Sequence, residues 1–414
     1  MIKSKTRMAV GLAAGVAMAA LAAGSASAAT APSVLKIGTL YAGSGPFAVA
    51  SQSEYQGLQF WAANVNKAGG VFVKAFDKKI PVKIIAYDDQ SSTSTATTLY
   101  NQLITQDKVD LLVSDFGSVL TSVAVPLAAE HHMLLIDPTG SGANFFTKKT
   151  RYLADVSIPT STVWPEALAH YLLEQKIKKI AIIYGSNDFD ASQATELKRV
   201  LGKGGVDPVY FHSVPTTESN YTVLLHTVAA RHPDAVIEFG YANNDIAFLH
   251  ALSASGLHFN MTFTVFPGQL LSLLTKNVGA KALAYTYTYP TPPLVKYSDV
   301  NAGMNTDDFV KEFTAEKHEA PNYLTVAGYN AGVIMQGMLK TSPTFSQTAF
   351  DQALLDMSGK TKTLLGEFRM TDHGSQIGEL FPIAQLIPEG DSNKIVVVYP
   401  KDKATGTAVY PAPK

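Results

Sequence analysis

From Leu35 onward, apolar residues fall into two kinds of pattern that alternate along the chain. Short continuous runs, Leu35-Lys36-Ile37-Gly38-Thr39-Leu40 and Val82-Lys83-Ile84-Ile85-Ala86-Tyr87, predict buried strands. Residues 109–113, 133–136, 179–184, 209–211 and 235–239 read the same way. Between the runs, apolar residues recur at three- and four-residue steps: Tyr55, Leu58, Ala62 and Val65, then Ala96, Leu99, Tyr100, Leu103 and Ile104. That spacing lines one face of a helix. It predicts further helices over 118–130, with Ser118 as its cap, and over 165–175, 191–201, 221–230 and 245–255. Asn66-Lys67-Ala68-Gly69-Gly70 stops the first helix, with glycine for a left-handed cap. Short buried strands alternating with amphipathic helices predict an α/β fold of parallel sheets covered by helices on both faces.

The alternation comes in two series. Between them lies an extended stretch, Arg151-Tyr152-Leu153-Ala154-Asp155-Val156, read as a crossing between two lobes. A second irregular stretch, 285–305, rich in Tyr, Pro and Thr, reads as another crossing with a surface loop. The 414 residues are 46% apolar and 16% charged, enough to bury two cores. A net charge of −1 gives no basic footprint for nucleic acid. The absence of cysteine removes disulfides, thiolate metal sites and cysteine nucleophiles together. Residues 1–28 have the order of a secretory signal peptide: Lys3, Lys5 and Arg7, an apolar run from Met8 to Ala23, and Ala26-Ser27-Ala28 as cleavage site. No cysteine follows for lipidation, and no later segment has the ~20 apolar residues of a membrane span. The expectation is a free periplasmic protein cleaved near Ala28.

In open α/β sheets ligands bind beyond the carboxyl ends of the strands, where helix N-termini present unpaired N–H groups. The corresponding turns here are 44–47, 115–118, 137–141, 186–189 and 240–244. They combine serine, threonine and aspartate with Phe47, Phe116, Phe189 and Tyr241. Serine and aspartate at such turns often only cap helices; capping does not account for the aromatic rings. Catalytic signatures are absent. Gly390-Asp391-Ser392 lacks the closing glycine of a nucleophile elbow. His131-His132 is not a zinc motif, and Gly359-Lys360-Thr361 has Leu354 where a phosphate loop needs its first glycine. Gly43-Ser44-Gly45 has Ala48 at the third glycine position of a dinucleotide fingerprint. No enzyme, cofactor or metal is expected.

The chain resembles the type I periplasmic solute-binding proteins of the branched-chain amino acid (Leu/Ile/Val) transport group. The resemblance rests on Leu40 to Pro46 with its Ser-Gly-Pro turn, Gly57, Asn66-Lys67-Ala68-Gly69-Gly70-Val71 and Tyr87-Asp88-Asp89. It continues through Pro126-Leu127-Ala128, Leu135-Ile136-Asp137-Pro138 and Lys179 to Tyr184. It implies two Rossmann-like lobes joined by three crossing strands, one over 33–153 plus 286–364 and the other over 154–285 plus 365–414. It implies the solute-capturing component of an ABC importer, a monomer that closes on a small ligand and hands it to a membrane permease. The family's ligand-holding positions fall on Ser118, Thr139, Ser141, Phe189 and Tyr241, with Tyr323 at an aromatic wall position.

Two departures bear on the ligand. Where the family carries the acid that pairs with the ligand's ammonium, this chain has Phe266-Pro267-Gly268-Gln269. The aromatic after the Ser-Gly-Pro turn is replaced by Ala50, with Phe47 nearby as new bulk. An ammonium buried without an anion costs several kcal/mol. Either Asp115, Asp137 or Asp188 supplies that anion, or the ligand has no ammonium and is a carboxylate, an amide or an aromatic acid set against Phe47, Phe116, Phe189 and Tyr241. A sensory module presenting its ligand to a membrane receptor and an exported amide or ester hydrolase are the rival readings.

Overall fold

The computed structural model describes residues 30–297 and 299–414; residues 1–28, read from sequence as a signal peptide, lie outside the described residues. The chain begins with β1 (Leu35–Tyr41), α1 (Ala48–Lys67), a hairpin of β2 (Val71–Val73) and β3 (Lys78–Ile80), and β4 (Val82–Asp88). Then come α2 (Thr93–Thr105), β5 (Leu111–Val113), α3 (Gly117–Glu130), β6 (Leu135–Asp137) and β7 (Leu153–Asp155). Five of these strands form a parallel sheet in the order β4-β1-β5-β6-β7. Leu40, Tyr100, Leu103, Leu112 and Leu135 form the core that α2 and α3 cover.

The second series is α4 (Pro165–Glu174), β8 (Ile180–Gly185), α5 (Asp188–Lys203), β9 (Tyr210–Val214), α6 (Thr222–Ala229) and β10 (Ala235–Phe239). It continues with α7 (Ala242–Ser255), β11 (Met261–Phe263), α8 (Leu271–Val278), α9 (Ala280–Leu283) and β12 (Tyr287–Thr288). The chain then gives α10 (Thr306–Lys317), α11 (Tyr323–Thr341), α12 (Gln347–Met357) and the β13–β14 hairpin (Thr361–Thr363, Gly366–Phe368). β15 (Ile383–Glu389) and β16 (Ser392–Tyr399) close it. The second sheet runs β16-β15-β12-β11-β10-β8-β9, with β15 and β16 antiparallel. Gly390-Asp391, which lacks the closing glycine of a nucleophile elbow, is the turn of that last hairpin, with Gly390 at φ 60°.

Three segments connect the sheets: 156–164, 289–305 and 369–382. Leu153–Asp155, read from sequence as part of a crossing, pairs in the first sheet, and the crossing follows it. Tyr287–Thr288, assigned above to the first lobe, is hydrogen-bonded between β11 and β15 in the second sheet. The third crossing is laced to the end of β7 and to the first crossing: Asp155 N–H donates to Gly374 O at 2.8 Å, and Thr160 N–H to Gln376 O at 2.8 Å.

One helix contact sets the geometry of the cleft. α11 is buried along most of its length and lies on α1 with almost no spacer. A Cβ on Gly57 would stand 1.9 Å from the Thr325 carbonyl oxygen, and one on Gly328 would stand 1.9 Å from that of Glu54. Glycine at both positions lets the backbones touch, which brings the first residues of α11 beside the start of α3. No helix among the described residues is long and apolar enough to cross a membrane.

Candidate functional site

The first sheet ends in turns held by buried hydrogen bonds. The Tyr100 hydroxyl accepts from Asp115 N–H at 2.8 Å. Ser51 Oγ donates to Asp115 Oδ1 at 2.5 Å and accepts from Ala42 N–H at 2.7 Å. Asp137 Oδ1 accepts from Ser114 Oγ, Thr139 N–H and Gly140 N–H. Thr139 Oγ1 accepts from Gly117 N–H at 2.9 Å and donates to Glu54 Oε2 at 2.6 Å. Burial raises the carboxyls of Glu54, Asp115 and Asp137 above their ordinary range, Asp137 to about 6. Glu54 therefore tends to the neutral acid behind Thr139.

The second half meets these turns with aromatic rings. Phe189 enters from the first turn of α5, whose cap is Asn187. Tyr241 precedes α7, where Asn244 Oδ1 fixes its backbone N–H at 3.2 Å while Asn244 Nδ2 donates to the carbonyls of Thr216 and Glu218. The Tyr241 hydroxyl accepts from Ser118 N–H at 3.1 Å, a bond from the first half to the second. Phe47 packs on Tyr241 and Phe116 with ring centroids at 5.2 and 6.4 Å, and Phe189 on Tyr241 at 5.5 Å.

Between the halves these rings leave a cavity of about 10 Å³, room for at most one water molecule. Eleven residues line it, and six are aromatic: Phe116, Trp164, Phe189, Tyr241, Phe266 and Tyr323. Gly117, Thr139, Ile158, Gln269 and Leu324 complete the wall. None of them carries a charge.

Of the nine site residues read from sequence, the structure gathers Phe116, Thr139, Phe189, Tyr241, Gln269 and Tyr323 around this cavity. Phe47 backs the ring cluster from behind. Ser118 is in the first turn of α3 rather than at its cap, where Phe116 stands, and its Oγ accepts from Gly142 N–H at 2.8 Å. Ser141 is fully buried and its hydroxyl has no hydrogen-bond partner. Asp115, Asp137 and Asp188, the candidates for an ammonium partner, lie off the wall: the first two brace turns, and Asp188 accepts from the backbone and side chain of Asn144. Sequence reasoning missed Trp164, Ile158, Phe266 and Leu324 as wall residues. The first two sit on a crossing, and bulky apolar residues there were the available signal. Trp164 is held by its Nε1–H to Pro159 O at 2.6 Å and by edge contacts to Phe189 and Tyr289.

Comparison with known proteins places this geometry in context. The profile of the periplasmic binding protein family matches residues 34–391. The Leu/Ile/Val/Thr-binding protein of Salmonella typhimurium is 25% identical over 223 residues, 54% of this chain and 59% of the relative, so the match spans little more than half of that protein. Among solved structures, a branched-chain amino acid transporter substrate binding protein of Streptococcus pneumoniae, in complex with isoleucine, superposes with a TM-score of 0.73. It is 17% identical and covers 89% of this chain and all of its own. An ABC transporter solute binding protein of R. palustris, in complex with benzoate, gives 0.71 at 18% identity, over 88% of this chain and 96% of that one. The fold is that of type I periplasmic binding proteins, two α/β lobes joined by three crossings. On the strength of the profile match from 34 to 391, the chain belongs to the periplasmic binding protein family.

Proposed function

We propose that this protein is the solute-capturing component of an ABC importer, exported to the periplasm, and that its ligand is a small carboxylic acid with a flat apolar body and no ammonium group. The observation that carries the ligand class is the wall: six rings, two aliphatic side chains and no charge. A buried ammonium finds no anion there, because Gln269 stands where a carboxylate would be needed and the nearby acids serve turns. A carboxylate finds the N–H of Ser118, at the N-terminus of α3, now taken by the Tyr241 hydroxyl. The ligands bound in the structural neighbours, isoleucine in one and benzoate in another, show that the fold by itself does not choose between these chemistries.

The mechanism follows from the absence of room. The cavity holds no more than a water, so a ligand enters only when the halves have rotated apart about the crossings. Ser118, Thr139 and Ser141 receive it on the first half, and Phe189 and Tyr241 arrive with the second and exclude water. The liganded form keeps the halves far enough apart to seat the ligand between them, and because the ligand touches both halves only there, binding energy shifts the population toward it. A permease that recognises that form then reads occupancy.

A thermal-shift panel of benzoate, isoleucine and leucine tests the reading. Benzoate at 100 times its dissociation constant adds about 2.7 kcal/mol of stability. Stabilisation by leucine or isoleucine with none by benzoate overturns the ligand class.

A further inference from the structure

The central cavity is not the largest space between the halves. A groove of about 460 Å³ lies beside it, and Gln269 lines both. The continuity repeats on the other wall: Pro321 and Asn322 face the groove, and the next two residues, Tyr323 and Leu324, face the cavity. The groove draws Val49 from α1 and Val310 from α10 on one side, and Leu270, Leu271 and Leu294 on the other. Val49 and Leu294 are among the most exposed large apolar side chains of the described residues, at 51% and 54%. A single exposed valine or leucine is ordinary. Two of them in one groove, with Leu270, Leu271, Leu273, Pro292, Pro293 and Pro321 also on its wall, make it a mostly apolar groove whose one charged side chain is Glu319.

Gln269 is the partition. It is 4% exposed, and its amide nitrogen has only a long contact, 3.4 Å, to Val265 O; no hydrogen bond among the described residues ends on its amide oxygen. A weakly tethered side chain between a ring-lined cavity and an apolar groove can swing aside where a carboxylate would be held by solvation. Its backbone is set by the 3-10 turn at Phe266–Gly268, where a Cβ on Gly268 would stand 2.1 Å from the Tyr289 carbonyl, so the turn itself stays fixed while the side chain moves.

We propose that this groove is a second compartment of the binding site, which takes an unbranched apolar tail carried by the ligand on the side opposite its carboxylate. The inference rests on the reading of the inner cavity as a site for flat carboxylic acids and extends it: the preferred ligands are para-alkyl or similarly elongated aromatic acids rather than benzoate itself. The acid head lies at Ser118 N–H, the ring among Phe116, Phe189 and Tyr323, and the tail passes Gln269 to lie against Leu271 and Leu294. Glu319 at the rim disfavours a second carboxylate at the tail's end.

Calorimetry with benzoate and with 4-butylbenzoate tests this on the full mature protein, its L294D variant and a V49D variant. Both substituted side chains are exposed, so folding is not at risk. The butyl chain is expected to tighten binding roughly tenfold or more over benzoate, and each variant to remove most of that gain while leaving benzoate affinity unchanged. If benzoate binds and 4-butylbenzoate binds no more tightly, or if the gain survives both variants, the groove is not a tail compartment and the inner-site reading stands alone. If neither acid binds, the inner-site reading fails and takes this inference with it.

Discussion

The stability of this protein should rise as the pH falls from 7.5 to 4.5, and Asp137 is the place to test it. Its carboxyl is fully buried, Oδ1 accepts three hydrogen bonds, and Oδ2 has no partner. Burial lifts its pKa from the ordinary 3.8 to about 6, against the pull of the Ser114, Gly140 and Thr139 donors. A carboxyl with a raised folded pKa contributes stability that is complete below the unfolded value and is lost as the pH rises through the folded one. A gap of about 2 pH units corresponds to about 3 kcal/mol, of which about 2 kcal/mol develops between pH 7.5 and 4.5. Asp155, the register partner of Asp137 on β7, is fully buried with both oxygens unpartnered, so its titration has the same sign. In Asp137→Asn the amide oxygen keeps all three donors and the amide nitrogen replaces the unpartnered oxygen. Urea unfolding at 25 °C and both pH values, for wild type and variant, gives the double difference. Wild type should gain about 2 kcal/mol more than the variant on acidification. That difference is independent of any packing cost of the substitution. Equal changes in the two proteins refute the reasoning.

Other outcomes follow from the same geometry. Gly328→Ala should lower stability by about 1–3 kcal/mol or more through the clash with Glu54 O, although alanine is the better helix former by about 1 kcal/mol; a raised urea midpoint contradicts the close approach of α1 and α11. Tyr241→Phe removes the hydroxyl that occupies Ser118 N–H and should tighten benzoate binding severalfold, to about tenfold, as read by calorimetry; weaker binding means the hydroxyl holds the ligand instead. Ser118→Ala leaves Gly142 N–H without its acceptor and should cost about 1–3 kcal/mol of stability, together with ligand affinity. Solution scattering profiles should differ between the free protein and the protein saturated with benzoate, because the ligand cannot be seated without moving the halves; unchanged profiles contradict the rotation.

The regular part of the fold was legible because it is periodic. Strands such as Ile180–Gly185 and Ala235–Phe239 are continuous apolar runs, and α1, α2 and α5 carry clear stripes. α11 was not legible, because it is buried on nearly all sides and so has no polar face to set a period. The last hairpin escaped for a different reason: its turn, Gly390-Asp391, is a short Gly-Asp pair that resembles part of a nucleophile elbow as much as a turn between two strands. At the site, residues placed by a single strand-to-helix turn, such as Thr139, Phe189 and Tyr241, were readable, since the turn's position relative to its own sheet is local. Trp164, Ile158, Phe266 and Leu324 line the cavity only because two halves come together, and no local pattern encodes that. Ser118 is not the cap because the helix begins one residue earlier, at a glycine with φ 74°, which leaves Ser118 N–H to donate to the Tyr241 hydroxyl rather than within α3.

The neutral wall is not a consequence of too few acids. Glu54 in the second turn of α1, and Asp115, Asp137, Asp190, Glu238 and Asp245 near the ends of strands or the starts of helices, are all buried around the cleft, yet none lines the cavity. Each is turned toward hydroxyl or amide donors of its own half: Glu54 to Thr139, Asp115 to Ser51, Asp190 to Asn187, Asp245 to the Phe266 N–H. In that position a carboxyl stiffens the turn that carries a ring, and for Glu54, Asp115, Asp190 and Glu238 burial also pushes it toward its neutral form, which weakens its field across the gap. A site for an ammonium compound needs at least one such acid to face inward and stay ionised. Here the fold orients them outward from the cavity and fills the vacated wall with Phe266 and Gln269, so under the proposed function selectivity would fall to ring packing and to the N–H of Ser118, a combination that favours an anionic head on an apolar body over a cation.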